Sequence, residues 1–130
     1  MRIKSTPTYE RRVGQLLTHV EREVFEDVIA AAPERWPVMA GTGGVRKARV
    51  KVEGRGKSGG PRAIYFFHSL GSVIYMLTIY RKDEQDDLSD ADKKEIKALV
   101  IEIKTIEDAA LLAAKTPAEP LPKRKEGRRT

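Results

Sequence analysis

The first third of the chain has apolar residues at the spacing of two amphipathic helices. One helix is predicted over residues 8–17, where Tyr9, Val13 and Leu17 share a face. The next helix begins at a capping box of Thr18 and Glu21 and ends before Pro33. Its predicted core stripe consists of Val20, Val24, Phe25, Val28, Ile29 and Ala32. Residues 2–6, before both helices, are predicted to add one short strand.

The middle of the chain has the two-residue period of β-strands. In residues 45–52, three cations alternate with three small apolar residues, so that each set occupies one face of a strand. Residues 62–67 and 73–80 are rich in aromatic and β-branched residues and predict a β-hairpin. Because residues 73–80 are apolar on both faces, we expect this strand at the centre of the sheet, covered on one side by helices.

The last third of the chain predicts a long helix capped by Ser89 and Asp92 and extending to about Ala114. Its predicted stripe consists of Ile96, Leu99, Val100, Ile103, Ile106 and Ala110. Residues 116–130 contain three prolines and no periodicity, so we expect a mobile basic tail after a domain of residues 1–115. The predicted fold is an α+β domain of two layers, in which two N-terminal helices and one C-terminal helix cover an antiparallel sheet of three to four strands.

Composition removes several classes of protein. At 130 residues, with 34% charged and 40% hydrophobic residues, the chain is sized and composed as one soluble globular domain. No apolar run approaches the roughly 18 residues of a membrane span, and the N-terminus lacks a secretion signal, so we expect a cytoplasmic protein. The absence of cysteine excludes disulfides and thiol catalysis, and two isolated histidines argue against a histidine-ligated metal; we expect both to be ordinary surface residues.

Positive charge is concentrated in two segments. Residues 45–62 contain seven basic residues and one acidic residue, and residues 115–130 contain six basic and two acidic residues. The chain as a whole carries a net charge of +6, so the remaining residues are net acidic. Such a distribution is typical of a surface that binds a polyanion.

Two further motifs have simple explanations. The glycine-rich loop of residues 53–61 contains Arg55 and Lys57, but it lacks the spacing of a P-loop and precedes a strand, which argues against nucleotide triphosphate binding. The acidic run of residues 83–87 suits a solvated linker before a helix N-terminus better than a metal site.

Four consecutive motifs resemble the RelE/HigB group of bacterial toxins. They are GTGG followed by VRKARV, GRGKSGG followed by PR and IY, YMLTIYRKDEQDDL, and the capped C-terminal helix, and together they span about residues 2–112. The resemblance implies a ribosome-dependent endoribonuclease that cuts mRNA without a metal or other cofactor. It also implies a cognate antitoxin partner, usually a helix-turn-helix protein through which operator DNA is bound.

The resemblance assigns roles to basic residues of the strands and loops. The implied catalytic residues are Lys47, Arg49, Arg62 and Lys82. From the clustered positive charge we also expect Arg46, Lys51, Arg55, Lys57 and Arg81 to bind RNA. Where related toxins carry a substrate-contacting tyrosine after the last strand, this chain has Leu88, so that role is vacant or falls to Tyr80 or Tyr65.

The chemistry fits these residues without reference to the family. Attack of an RNA 2′-hydroxyl on its own phosphate needs a base, an acid and positive charge that stabilises the phosphorane. A lysine among other cations can act as a weak base, and arginine remains charged. Three alternatives stay open: a merely solvated strand face, a toxin on the same scaffold that binds DNA gyrase, and an inactive regulator held by its antitoxin. The convergence of Lys47, Arg49 and Arg62 favours the endonuclease.

Overall fold

The computed structural model describes residues 1–52, 60–85 and 87–115, and shows three helices and a four-stranded sheet in this part of the chain. The elements, in chain order, are β1 (Arg2–Ser5), α1 (Pro7–Leu16), α2 (His19–Ala31), β2 (Val45–Arg49), β3 (Arg62–His68), β4 (Val73–Tyr80) and α3 (Asp90–Lys115). The predicted α+β class is confirmed. The predicted tail, residues 116–130, lies outside the described residues and stays a prediction.

The sheet has the strand order β1-β4-β3-β2, so the predicted hairpin of β3 and β4 is confirmed and β4 is central. β2, β3 and β4 pair in antiparallel fashion, whereas β1 runs parallel to β4. β2 is shorter than predicted because regular pairing ends at Arg49. The backbone N–H of Val50 still donates to the Pro61 carbonyl at 2.8 Å, which keeps the backbones that extend β2 and β3 paired for one more residue.

Helices cover both faces of the sheet, so the expectation of a single covered side was wrong. One hydrophobic cluster joins α1 and α2 to Ala63 and Tyr65 of β3. The other joins α3 to Ile64 and Phe66 of the same strand. Residues 63–66 of β3 are all apolar or aromatic, so both faces of the strand are buried. The α1 and α2 helices cover one face, and α3 covers the other.

The helix caps follow the sequence more closely than the helix faces do. The reciprocal hydrogen bonds of Thr18 and Glu21 form the predicted capping box at the start of α2. In the predicted α2 stripe, however, only Phe25 and Ile29 are buried in the core, and the row of Val20, Val24 and Val28 is exposed. Phe25 and Ile29 lie four residues apart on one ridge, and this ridge packs into the cluster beneath the sheet.

The α3 helix buries a glutamate where an isoleucine was expected. Ile96, Val100 and Ile103 are buried as predicted, but Ile106 is exposed and Glu107 is only 3% exposed. Glu107 accepts hydrogen bonds from the Lys4 ammonium, at 3.1 Å, and from the Tyr75 hydroxyl. The Tyr75 and Lys4 hydrogen bonds hold the pKa of Glu107 below its usual range, since both stabilise the carboxylate.

His68 is buried, which corrects the expectation that both histidines lie at the surface. It is the last residue of β3, and its Nδ1 accepts a hydrogen bond from the Gly71 backbone N–H at 3.0 Å. With Nδ1 occupied as an acceptor, Nε2 carries the proton and donates to the Asp108 carboxylate of α3 at 2.9 Å. His19 is exposed at the start of α2, as expected.

Among the described helices, none is long and apolar enough to cross a membrane.

Candidate functional site

A row of residues crosses three strands at one end of the sheet. Arg49 of β2 lies directly opposite Arg62 of β3, and Arg62 lies directly opposite Tyr80 of β4. Lys47 lies two pairs further along, opposite Ile64. Since paired residues of neighbouring strands project from the same face, these four polar side chains belong to the face that α3 covers in part. We call Lys47, Arg49 and Arg62 the cationic row.

An irregularity in β4 brings Tyr80 to this face. Ile64 pairs with Thr78, but the next residue of β3, Tyr65, pairs with Met76, so Leu77 is the extra residue of a β-bulge. A bulge changes the side to which the following residues point. Without it, Tyr80 would project from the opposite face and would not adjoin Arg62.

Arg62 is held in place by backbone carbonyls. Its side chain is almost buried, and Nη1 donates to the carbonyl of Gly60 at 2.8 Å. Among the described residues, no carboxylate lies within ion-pair distance of its guanidinium. Gly60 is required here because a Cβ at this position would lie 2.0 Å from the Val50 carbonyl oxygen. The close approach of the Gly60 and Val50 backbones therefore fixes the carbonyl that holds Arg62.

The other two cations of the row differ in their surroundings. The half-buried Lys47 lies 3.5 Å from the Asp87 carboxylate. The Arg49 side chain is exposed and makes neither a hydrogen bond nor an ion pair with any residue in the described parts of the chain. Like charges placed directly opposite each other on neighbouring strands repel, as Arg49 and Arg62 do here. A bound anion between them would relieve this repulsion.

Tyr80 lies on the cationic face but is closed off from solvent. It is 1% exposed, and its hydroxyl is the one buried side-chain polar atom without a hydrogen-bond partner in the described residues. Burial raises the pKa of Tyr80, the nearby Asp87 carboxylate raises it further, and Arg62 opposes both. The alternative tyrosine, Tyr65, projects from the other face and donates to the Pro33 carbonyl at 2.7 Å. Leu88 is buried against α3.

The remaining predicted residues are spread around the row. Lys51 is exposed two residues beyond Arg49, and Arg81 and Lys82 are exposed immediately after β4. Arg81 donates to both oxygens of Asp83, at 3.0 and 2.7 Å, and these hydrogen bonds raise its pKa.

Arg46 does not join the cationic face. It lies on the opposite side of β2, where Nη1 donates to the carbonyls of Glu34 and Trp36 at 3.1 and 2.6 Å. Its guanidinium thus binds the segment that follows α2. Arg55 and Lys57 lie outside the described residues.

Three features of the site could not be anticipated from sequence: the Lys47–Asp87 ion pair, the carbonyl anchor of Arg62, and the position of Tyr80. The glycine before Pro61 was a signal of close backbone approach, although nothing in the sequence named Val50 as the neighbour. No group of three or more histidine, aspartate or glutamate side chains in the described residues is placed to hold a metal ion.

The family model of the RelE toxin of the RelE/RelB toxin–antitoxin system matches residues 23–119. The chain belongs to the RelE toxin family. Two solved structures from E. coli are similar to it. The toxin–antitoxin complex RelBE matches at 11% identity over 61% of this chain and 93% of the other, with a TM-score of 0.46. A RelE double mutant in the free state matches at 9% identity over 65% and 86%, with a TM-score of 0.47. The family match includes the cationic row and begins after α1.

Proposed function

We propose that this RelE-family toxin is a ribosome-dependent mRNA endoribonuclease that inhibits translation. The observation that carries the proposal is the direct opposition of Arg49 and Arg62, with Lys47 beside them and no carboxylate on either arginine among the described residues. Two guanidinium groups on one sheet face suit the non-bridging oxygens of a phosphodiester, which they can bind in bidentate fashion.

The reaction is a transesterification within the RNA. Lys47, as the neutral amine, accepts the proton of the 2′-hydroxyl, and the 2′-oxygen attacks the adjacent phosphorus. The bond from phosphorus to the 5′-oxygen breaks, and this oxygen takes up a proton from solvent, leaving a 2′,3′-cyclic phosphate and a 5′-hydroxyl. Arg49 and Arg62 stabilise the phosphorane, with Lys82 as a further cation, in place of metal charge. The ribosome holds the mRNA in the bent geometry that this attack requires.

The Asp87 carboxylate has a defined place in this scheme. It lies 3.5 Å from Lys47 in the free protein, so an incoming phosphate competes with it for the ammonium group. A lysine released from this pair is free to face the 2′-hydroxyl. Lys51 and Arg81 extend positive charge on either side of the row and bind neighbouring phosphates.

A cognate antitoxin neutralises the toxin. The family description names a toxin–antitoxin system, and the similar E. coli structure is a complex of the two proteins. We propose that the antitoxin of this chain is a helix-turn-helix protein that also binds operator DNA, and that toxin and antitoxin meet in the cytoplasm.

The proposal is tested by mRNA cleavage in a reconstituted translation system. Arg62→Ala should reduce cleavage by about 100-fold or more, because it removes a preorganised charge from the transition state. Arg49→Ala should also reduce it, and this exposed side chain has no described contact whose loss could unfold the protein. Lys94 is an exposed lysine on α3, so Lys94→Ala is the matched control and should cleave normally.

Circular dichroism and antitoxin binding establish that each variant is folded. Normal cleavage by folded Arg49→Ala and Arg62→Ala variants would contradict the assignment. So would a toxin that leaves translation intact while it inhibits supercoiling by DNA gyrase.

A further inference from the structure

A second group of arginines lies where α1 meets the segment after β4. Arg11, Arg12 and Gln15 of α1 line an open cleft of about 420 Å³ together with Leu16, Arg81 and Glu84. Neither Arg11 nor Arg12 forms an ion pair with a residue in the described ranges. Among the described residues, Glu84 is the one carboxylate that lines the cleft, and Asp83 binds Arg81 beside it. The cleft therefore keeps an excess of positive charge with both acids counted.

The cleft adjoins the end of β4, because Arg81, which lines it, directly follows Tyr80 in the chain. Arg12 also lines a neighbouring cleft of about 210 Å³, whose wall includes Tyr80 and the carboxylates of Asp92 and Glu95. Tyr80 in turn lies opposite Arg62. From Arg49 on β2 to Tyr80 on β4 the row spans two strand spacings, or about 10 Å at ~4.8 Å each. This distance holds more than one phosphate of a single strand.

We infer that the α1 cleft binds the phosphate backbone of the RNA strand beyond the scissile linkage, with Arg11 and Arg12 as its principal contacts. The inference rests on the proposed function and adds α1 to the RNA-binding surface. The strand passes the end of β4, from Arg49 and Arg62 past the exposed Arg81 to α1. The family match begins at residue 23, so this part of the surface lies outside the matched region.

The chemistry of the cleft favours RNA over a protein partner. In the described part of the chain, its lining contains three guanidinium groups, one amide and one carboxylate, and Leu16 is the one aliphatic side chain. Protein interfaces have an apolar centre surrounded by a polar rim, which this lining lacks. Phosphate contacts, in contrast, come mainly from arginine, lysine and polar side chains in wet grooves.

The test measures the affinity of the full-length toxin for a fluorescent single-stranded RNA over a series of salt concentrations. Each phosphate contact contributes about 0.7 to the slope of log K against log salt for single strands. The double variant Arg11→Ala/Arg12→Ala should therefore reduce this slope by about 1.4. Lys94→Ala/Lys97→Ala removes the same charge from α3 and should leave the slope near the wild-type value. Arg11→Lys/Arg12→Lys should retain most of the affinity.

Kinetics on the ribosome separate this inference from the proposed function. Arg11→Ala/Arg12→Ala should raise KM with little change in kcat, whereas Arg62→Ala should lower kcat. If Arg62→Ala cleaves normally, the proposed function fails. If the α1 variant has the salt slope of the α3 control while Arg62→Ala loses cleavage, only the α1 site is refuted. Retained RNA binding with lost antitoxin binding would show that the cleft binds protein, and would overturn the inference.

Discussion

Replacement of Gly60 by alanine should impair catalysis more than it impairs folding. The new Cβ would lie 2.0 Å from the Val50 carbonyl oxygen, and real Cβ contacts are essentially never shorter than 3.0 Å. The segments that contain Val50 and Gly60 must therefore separate by about 1 Å. This movement affects the Val50–Pro61 backbone hydrogen bond and the carbonyl that holds Arg62, each 2.8 Å long.

The cost can be estimated from these contacts. Each weakened hydrogen bond contributes about 0.5–1.5 kcal/mol, and partial relaxation of the loop lowers the total, so we expect a loss of ~1–3 kcal/mol of stability. That is survivable in a domain with about 5–15 kcal/mol of stability. A catalytic group displaced by about 1 Å can lose roughly 100-fold in rate, so cleavage should fall by that order.

Urea denaturation and ribosomal cleavage measure the two effects separately. Gly14→Ala is the matched control, since nothing lies within 4 Å of the Cβ that it adds in the middle of α1. It should stabilise the protein by about 0.5–1 kcal/mol through helix propensity and leave cleavage unchanged. A Gly60→Ala variant with wild-type stability and cleavage would refute the account of how Arg62 is positioned.

Three further predictions concern charged contacts. Glu107→Gln should lower the free energy of unfolding by about 1–2 kcal/mol in urea denaturation, because it removes the charge that binds Lys4. Glu102→Gln, at an exposed position of the same helix, is the control. Equal stabilities of the two variants would count against the buried network. The hydrogen bond from Arg22 lowers the pKa of Glu10 from 4.5 to about 2, so its contribution is complete above the unfolded-state pKa and is lost as pH falls through this interval. Glu10 is half-exposed, so the loss should be below about 1 kcal/mol, and Glu10→Gln should remove this part of the acid transition; an unchanged transition would disprove the pairing. Asp87→Asn should bind single-stranded RNA about two- to fivefold more tightly at low salt, since Lys47 loses its competing carboxylate, and a weaker complex would contradict that role.

The central strand and the cationic row follow from alternation in the sequence. β4 is apolar on both faces, which predicts its central place, and the cations of residues 45–52 project from one face because strands have a two-residue period. Tyr80 could not be placed in the same way. Its face depends on the bulge at Leu77, and no turn or glycine signal marks that bulge in the sequence.

The helix faces show where an apolar pattern is insufficient. The apolar stripe of α2 is wider than the ridge that contacts the sheet, so Val20, Val24 and Val28 remain in water. In α3, the hydrogen-bond partners determine which residue is buried, because Lys4 and Tyr75 make a buried carboxylate at position 107 favourable. Such pairings join residues more than thirty positions apart, and periodicity along one helix contains no information about them.

The chemical ends of mRNA cleaved on translating ribosomes test the central claim most directly. Transesterification at the cationic row predicts a 2′,3′-cyclic phosphate, or the 3′-phosphate that forms from it, upstream of a 5′-hydroxyl, and both ends should disappear with Arg62→Ala. A 3′-hydroxyl beside a 5′-phosphate, or intact mRNA in the presence of active wild-type toxin, would contradict it.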